Sequence, residues 1–174
     1  MLRNRNKRQR YLKRWYRYYS EGKRFFYVDE SGFAPSAERQ HGWALRGEKV
    51  YGLRSGDRRP RTSLIAALVD KKLAAPMLFA GTCNTQIFNS WLEKMLCPML
   101  TANDVVVMDN AAFHKSGRTT ELIAQSGAKL LFLPPYSPDI MPIEKTFGTL
   151  KKYRQYNSHL SIEQCIQSSN YLFK

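Results

Sequence analysis

The chain has 174 residues, 43% of them hydrophobic and 13% aromatic, which suits one globular domain with a single core. A net charge of +14 and a pI near 9.9 point to a polyanionic partner, either nucleic acid or an anionic membrane surface. Cys83, Cys97 and Cys165 form no CxxC pair and no zinc spacing with His41, His114 or His159. No apolar run approaches a membrane span and no signal-peptide core follows the basic N-terminus, so the chain reads as soluble, reduced and intracellular.

The charge is uneven. Residues 1–24 hold ten Lys or Arg against one Glu, interleaved with Tyr11, Trp15, Tyr16, Tyr18 and Tyr19. Such a stretch can neutralise phosphates and stack on bases, or pack on a protein surface. We read residues 1–24 as a basic aromatic arm or linker and 25–174 as the folded domain. From Tyr11 onward a helix is expected with Leu12, Trp15, Tyr16 and Tyr19 on one face. Residues 25–28 form an aromatic and β-branched strand that is expected to end at Asp29, next to a turn at Gly32. Residues 34–47 read as a loop with Trp43 as its anchor, and 48–53 as a short strand. A basic turn follows with Arg54, Asp57, Arg58, Arg59 and Arg61.

Residues 62–69 and 73–80 read as an antiparallel hairpin joined by Asp70, Lys71 and Lys72. Asn84 or Thr85 caps a helix with Ile87, Trp91, Leu92, Met95 and Leu96 at helical spacing, ended by Pro98. VVVM (105–108) is a buried strand that delivers Asp109. Residues 116–126 form a helix with Leu122 and Ile123 inward, closed by Gly127, and 130–133 form a second buried strand stopped by Pro134 and Pro135. The chain turns through Ser137, Pro138 and Asp139 into a helix carrying Glu144. There Ile143, Phe147 and Leu150 face the core, while Gly148 and Lys151 share the Glu144 face. Ser161 caps a last helix with Ile162, Cys165 and Ile166 on one face. A hairpin followed by α/β alternation predicts an α/β fold, a mixed central sheet with helices on both faces.

Asp29, Asp109 and Glu144 thus come from three separate elements, with 34 residues between the last two, on a strongly basic chain. That combination suggests a metal site acting on DNA. Phosphodiester cleavage needs an activated water or hydroxyl, an in-line leaving oxygen and positive charge on the phosphate. Two Mg²⁺ ions about 3.5–4 Å apart provide these, and hard cations take carboxylate oxygens.

FYVDESGF (26–33), VVVMDNAAFH (105–114) and LPPYSPDIMPIEKTF (133–147) resemble the three motifs of the mariner-related DDE transposases, closest to their bacterial insertion-sequence branch. The resemblance covers nearly all of residues 25–152. It implies an RNase H-like fold, two Mg²⁺ ions with Mn²⁺ as a substitute, DNA strand cleavage at transposon ends, and strand transfer into target DNA, usually at TA. It further implies that Asp29 bridges both metals, Asp109 completes one site and Glu144 the other. Asn110 and His114 match the family's Asp-Asn-x-x-x-His pattern, which places His114 either near the scissile phosphate or in a structural hydrogen bond. Lys151, Lys152 and Arg154 are the expected DNA contacts on the Glu144 helix, with a solvated basic face as the alternative.

Two features depart from the family. Met141 stands where it usually has Asn, which could hydrogen-bond the turn presenting the glutamate. The chain also has no room for the helix-turn-helix domains that precede the catalytic domain in full-length relatives. The resemblance therefore implies a catalytic half that depends on a separate or fused N-terminal recognition part and dimerises on the inverted repeats. The alternative is a decayed or repurposed DNA-binding remnant. Its expected place is the bacterial cytoplasm, at the nucleoid.

Overall fold

A computed structural model describes residues 5–34, 43–49, 51, 61–135 and 137–172. Five strands form one mixed sheet: β1 (Arg24–Phe33), β2 (Thr62–Val69), β3 (Lys72–Ala80), β4 (Asp104–Met108) and β5 (Lys129–Phe132), in the order β3-β2-β1-β4-β5. β1 pairs antiparallel with β2 and parallel with β4, β2 pairs antiparallel with β3, and β4 pairs parallel with β5. The hairpin turn is made by Asp70 and Lys71, both at positive φ, which leaves Lys72 inside β3. Pro76 is tolerated because β3 is the sheet edge, and the ladder shifts register beside it.

Helices cover both faces, as the alternation predicts. On one face lie α2 (Thr85–Trp91), running on through a π turn at Leu92–Leu96 and a 3-10 turn at Cys97–Met99, and α3 (Gly117–Gln125). Phe88, Trp91, Leu92, Leu96, Leu122 and Ile123 pack there on Phe26, Val28, Val106 and Met108. On the other face lie α1 (Arg5–Ser20), α4 (Pro142–Tyr156) and α5 (Ile162–Leu172), whose Tyr11, Ile143, Phe147, Leu150 and Cys165 pack on Leu64, Ala66, Val105 and Val107. Alternate residues along each strand supply the two cores, so every central strand is buried on both sides.

α1 starts earlier than the periodicity suggests and docks through a different stripe. Tyr11 is buried, Leu12, Trp15 and Tyr18 are partly so, and Tyr16 and Tyr19 are exposed. The indole Nε1 of Trp15 donates to the Tyr27 hydroxyl at 3.0 Å, and its ring stacks on Phe25 at 5.1 Å, so the aromatics of β1 set the rotation of the helix. Gly22, at φ +70, ends α1 in a Schellman pair, Lys23 N to Tyr18 O and Gly22 N to Tyr19 O.

Three expectations change. β1 does not stop at Asp29, because β2 supplies an antiparallel partner for every residue as far as Phe33. Gly32 is therefore a strand residue; the side chain of Arg61 lies over it, where a Cβ would collide. Trp43 is fully exposed and anchors nothing among the described residues. Of the strand expected over 48–53, Glu48, Lys49 and Tyr51 are described and form none; the remainder, and the basic turn at Arg54, Asp57, Arg58 and Arg59, lie outside the described residues.

Candidate active site

The parallel register makes two of the acids neighbours. Val28 opposite Met108 is the last pair of the β1–β4 ladder, so Asp29 and Asp109 are the next residue on each chain. Adjacent strands run about 5 Å apart. β1 continues past this point on its β2 side only, while β4 breaks off, which opens a crevice at the carboxyl end of the parallel strands. The amide of Asn110 donates to the Leu133 carbonyl, tying the exits of β4 and β5 together.

Glu144 reaches the same crevice from α4. The helix begins at Pro142, with Met141 as N-cap and Pro in the first turn, where its missing N–H costs nothing. Ile143, Phe147 and Leu150 are buried in the core, which fixes the rotation of the helix and leaves Glu144 exposed on its outer side. The preceding turn, Pro138–Ile140, is held by a two-pronged pair from Arg8 of α1 to Asp139, at 3.1 and 2.6 Å. Asp29, Asp109 and Glu144 line one cleft of about 520 Å³, walled by Leu133, Pro134, Pro135, Ser137, Pro138 and Met141, with Lys115 at its margin.

His114 sits behind this cleft. It is fully buried, its Nδ1 lies 2.6 Å from Asp109 Oδ1, and its Nε2 lies 2.9 Å from Glu30 Oε1. Its ring packs against Phe88 and Phe113 at 4.3 and 4.2 Å between centroids. Burial alone would push the imidazole down, but its hydrogen bonds to Asp109 and Glu30 carry it up to about 9. At neutral pH it is an imidazolium that donates from both nitrogens. The hydrogen bond from His114, with help from the Ala111 N–H at 2.9 Å, holds the Asp109 carboxyl below its ordinary value. Asp29 moves the other way: burial, then the nearby charges of Glu30, Glu144 and Asp109, raise it to about 7.

Of the residues expected from sequence, the structure brings Asp29, Asp109 and Glu144 into one cleft and places His114 in a buried hydrogen-bonded position rather than on the cleft surface. Lys151, Lys152 and Arg154 are not in the cleft wall. Lys151 lies over the Phe33 ring at 5.8 Å, and Lys152 is exposed. Arg154 Nη1 donates to the Ala34 carbonyl at 2.7 Å, at the end of β1. Glu30 and Lys115 are the functional candidates that sequence reading passes over. Each stands directly beside a singled-out residue, but only the fold reveals the 84-residue span from Glu30 to His114.

The donors gathered in the cleft are carboxylate oxygens, a set suited to hard divalent cations rather than to soft metals. Burial first, and then the neighbouring carboxylates, raise Asp29, and a bound cation would offset both by favouring its charged form. Among the described residues no three His, Cys, Asp or Glu side chains are close enough to enclose an ion. The acids thus share a cleft without converging on one point.

A mixed five-stranded sheet with helices on both faces, acids at the end of its parallel strands and a third acid on a following helix is an RNase H-like fold. The sequence matches the DDE superfamily endonuclease family over residues 24–166, and the chain belongs to that family. In structure it is similar to Mos1 transposase in the paired-end complex with the left transposon end (TM-score 0.67, 14% identity, covering 100% of this chain and 65% of that one). It is also similar to the pre-cleavage Mos1 transpososome (0.64, 14%, 99% and 61%) and to the isolated catalytic domain of Mos1 mariner transposase (0.54, 13%, 99% and 90%). The chain therefore spans under two thirds of the transposase in the first two and most of the isolated domain. Comparison with curated proteins gives no match. No described helix is long and apolar enough to cross a membrane.

Proposed function

We propose that this chain is the catalytic domain of a mariner-related DNA transposase. It hydrolyses a strand at the transposon end and then joins the freed 3′-hydroxyl to target DNA, at TA steps, which deform easily. The observation that carries this reading is the convergence of Asp29, Asp109 and Glu144 on one cleft from β1, the end of β4 and α4. Residues 25–174 form the catalytic unit, and residues 1–24 form a basic arm leading into it.

Asp29, Asp109 and Glu144 are the residues that would hold two Mg²⁺ or Mn²⁺ ions. Bound there, the ions supply Lewis acidity and lower the pKa of a coordinated water. Related structures support this choice, since Mos1 paired-end complexes include one with Mg and one with Mn. The chain's own residues prepare the site: His114 keeps Asp109 ionised and oriented, and Asn110 fixes the loop that carries it. Lys151 and Lys152 face solvent on α4 and meet phosphates of the flanking duplex. End recognition comes from a helix-turn-helix part, separate or fused, and two copies assemble on paired transposon ends at the bacterial nucleoid.

Nicking of supercoiled plasmid with Mn²⁺ or Mg²⁺ tests the reading. Wild type should nick only with metal, and Asp109→Ala should abolish it. DNA binding without nicking, even with a recognition domain fused on, would favour the decayed, binding-only remnant.

A further inference from the structure

A second groove, of about 320 Å³, opens beside the acid cleft. Asn110, Lys115, Leu133, Pro134 and Pro135 line both, so the two are continuous. The far wall of the groove is α1, which contributes Lys7, Arg10 and Arg14, spaced to share one helical face. Among the described residues no salt bridge joins an acidic side chain to Arg10 or Arg14, whereas Arg8 and Arg17 of the same helix, outside the groove, pair with Asp139 and Glu21. α1 is not a loose tail. Tyr11 is 5% exposed, Trp15 is bonded to Tyr27, and Arg8 is clamped to the turn that precedes α4. Like charges are thus held in fixed positions along a channel that leads away from the acids.

The groove floor offers little to read a base. Leu131, Leu133 and the two prolines are apolar, and the Asn110 amide is committed to the Leu133 carbonyl. We propose that this groove binds the phosphate backbone of the DNA strand as it leaves the acid cleft, by charge and without regard to sequence. The inference rests on the DNA-cleaving reading above, and it gives α1 a defined task within it.

The test is binding of a fluorescent DNA duplex of arbitrary sequence, followed by anisotropy across a range of salt. EDTA is present throughout, so that no metal links DNA to the acids. Each phosphate contact on a duplex contributes about 0.9 to the slope of log K against log salt. The double variant Arg10→Ala/Arg14→Ala should flatten the slope by about 1.8, equally for unrelated sequences. Arg10→Lys/Arg14→Lys, which keeps the charges, should retain it. Arg17→Ala, exposed and outside the groove, should leave it unchanged. An unchanged slope in the Ala double variant would overturn the proposal and leave the groove to an acidic protein segment. An equal drop in Arg17→Ala would also overturn it, by reducing the effect to bulk charge. Plasmid nicking is scored separately, so failure of the groove is not confused with failure of the endonuclease reading.

Discussion

His114 donates from Nδ1 to Asp109 Oδ1 at 2.6 Å while its Nε2 donates to Glu30 at 2.9 Å, so one buried ring links β1 to the chain leaving β4 across the crevice. Glu30 and Asp29 are consecutive on β1 and point to opposite faces. One acid therefore lines the cleft, and the next holds the imidazolium that orients the acid across the crevice. A partner that orients a ligand carboxylate is typically worth 10–100-fold in metal affinity or activity.

His114→Gln should accordingly lower nicking by about 10–100-fold. Extra Mn²⁺ should recover part of the loss if His114 acts by positioning Asp109. Glu30→Gln keeps a hydrogen-bonding group but removes one of the two charges, and should cost less. Nicking by His114→Gln at wild-type rate and metal dependence would remove His114 from the site.

The same ring makes stability pH-dependent. Its folded value, about 9, lies above the ordinary 6.5, so its contribution is complete below pH 6.5 and is lost as pH rises through 9. A shift of that size corresponds to roughly 3 kcal/mol. Urea unfolding in EDTA should show the gap between wild type and His114→Gln closing by about that amount between pH 6.5 and 9.5. A gap that stays constant would mean that the ring is neutral in the folded chain.

Metal binding should carry the opposite pH signature, through Asp29. Asp29 is raised to about 7 and Asp109 is lowered, so at pH 6 the first is mostly protonated and the second ionised. A cation must displace the Asp29 proton. Calorimetric affinity for Mn²⁺ should rise about tenfold per pH unit up to pH 7 and level off above it, with close to one proton released at pH 6. Asp29→Asn should abolish the dependence along with most of the affinity. Affinity that is flat from pH 5.5 to 8 would place the ion elsewhere.

Much of this site was legible from local sequence, because Asp109 and Glu144 each stand at the end or start of an element with a strong signature of its own. VVVM reads as a buried strand and delivers Asp109, and SPDIMP reads as a turn into a helix that carries Glu144. What stayed hidden depends on distant partners. β1 runs on through Asp29 only because β2, more than thirty residues later, pairs with it. Tyr11-Trp15-Tyr18 and Leu12-Trp15-Tyr16-Tyr19 are both good helical stripes, and the positions of Phe25 and Tyr27 decide between them. In sequence Glu30 is only the neighbour of Asp29, and its bond to His114 exists only in the fold.

Met141 poses the sharpest trade between packing and positioning. It is the N-cap of α4, it makes no side-chain capping bond, and its side chain is 3% exposed within the core. Asn at this position could accept from the N–H of Glu144, which now bonds the Met141 carbonyl at 3.2 Å. The cap is worth about 1 kcal/mol, and losing a buried Met side chain costs about 1.5–3 kcal/mol. Packing therefore wins on stability, and Met141→Asn should lower Tm by a few degrees, about 2–4 °C per kcal/mol for a chain of this size. Nicking should nevertheless rise, because the cap restrains the first turn that presents Glu144 to the cleft. A lower Tm with unchanged nicking would show that the turn is already rigid with Met in place. A higher Tm would show that the amide finds partners that the Met141 pocket does not now reveal.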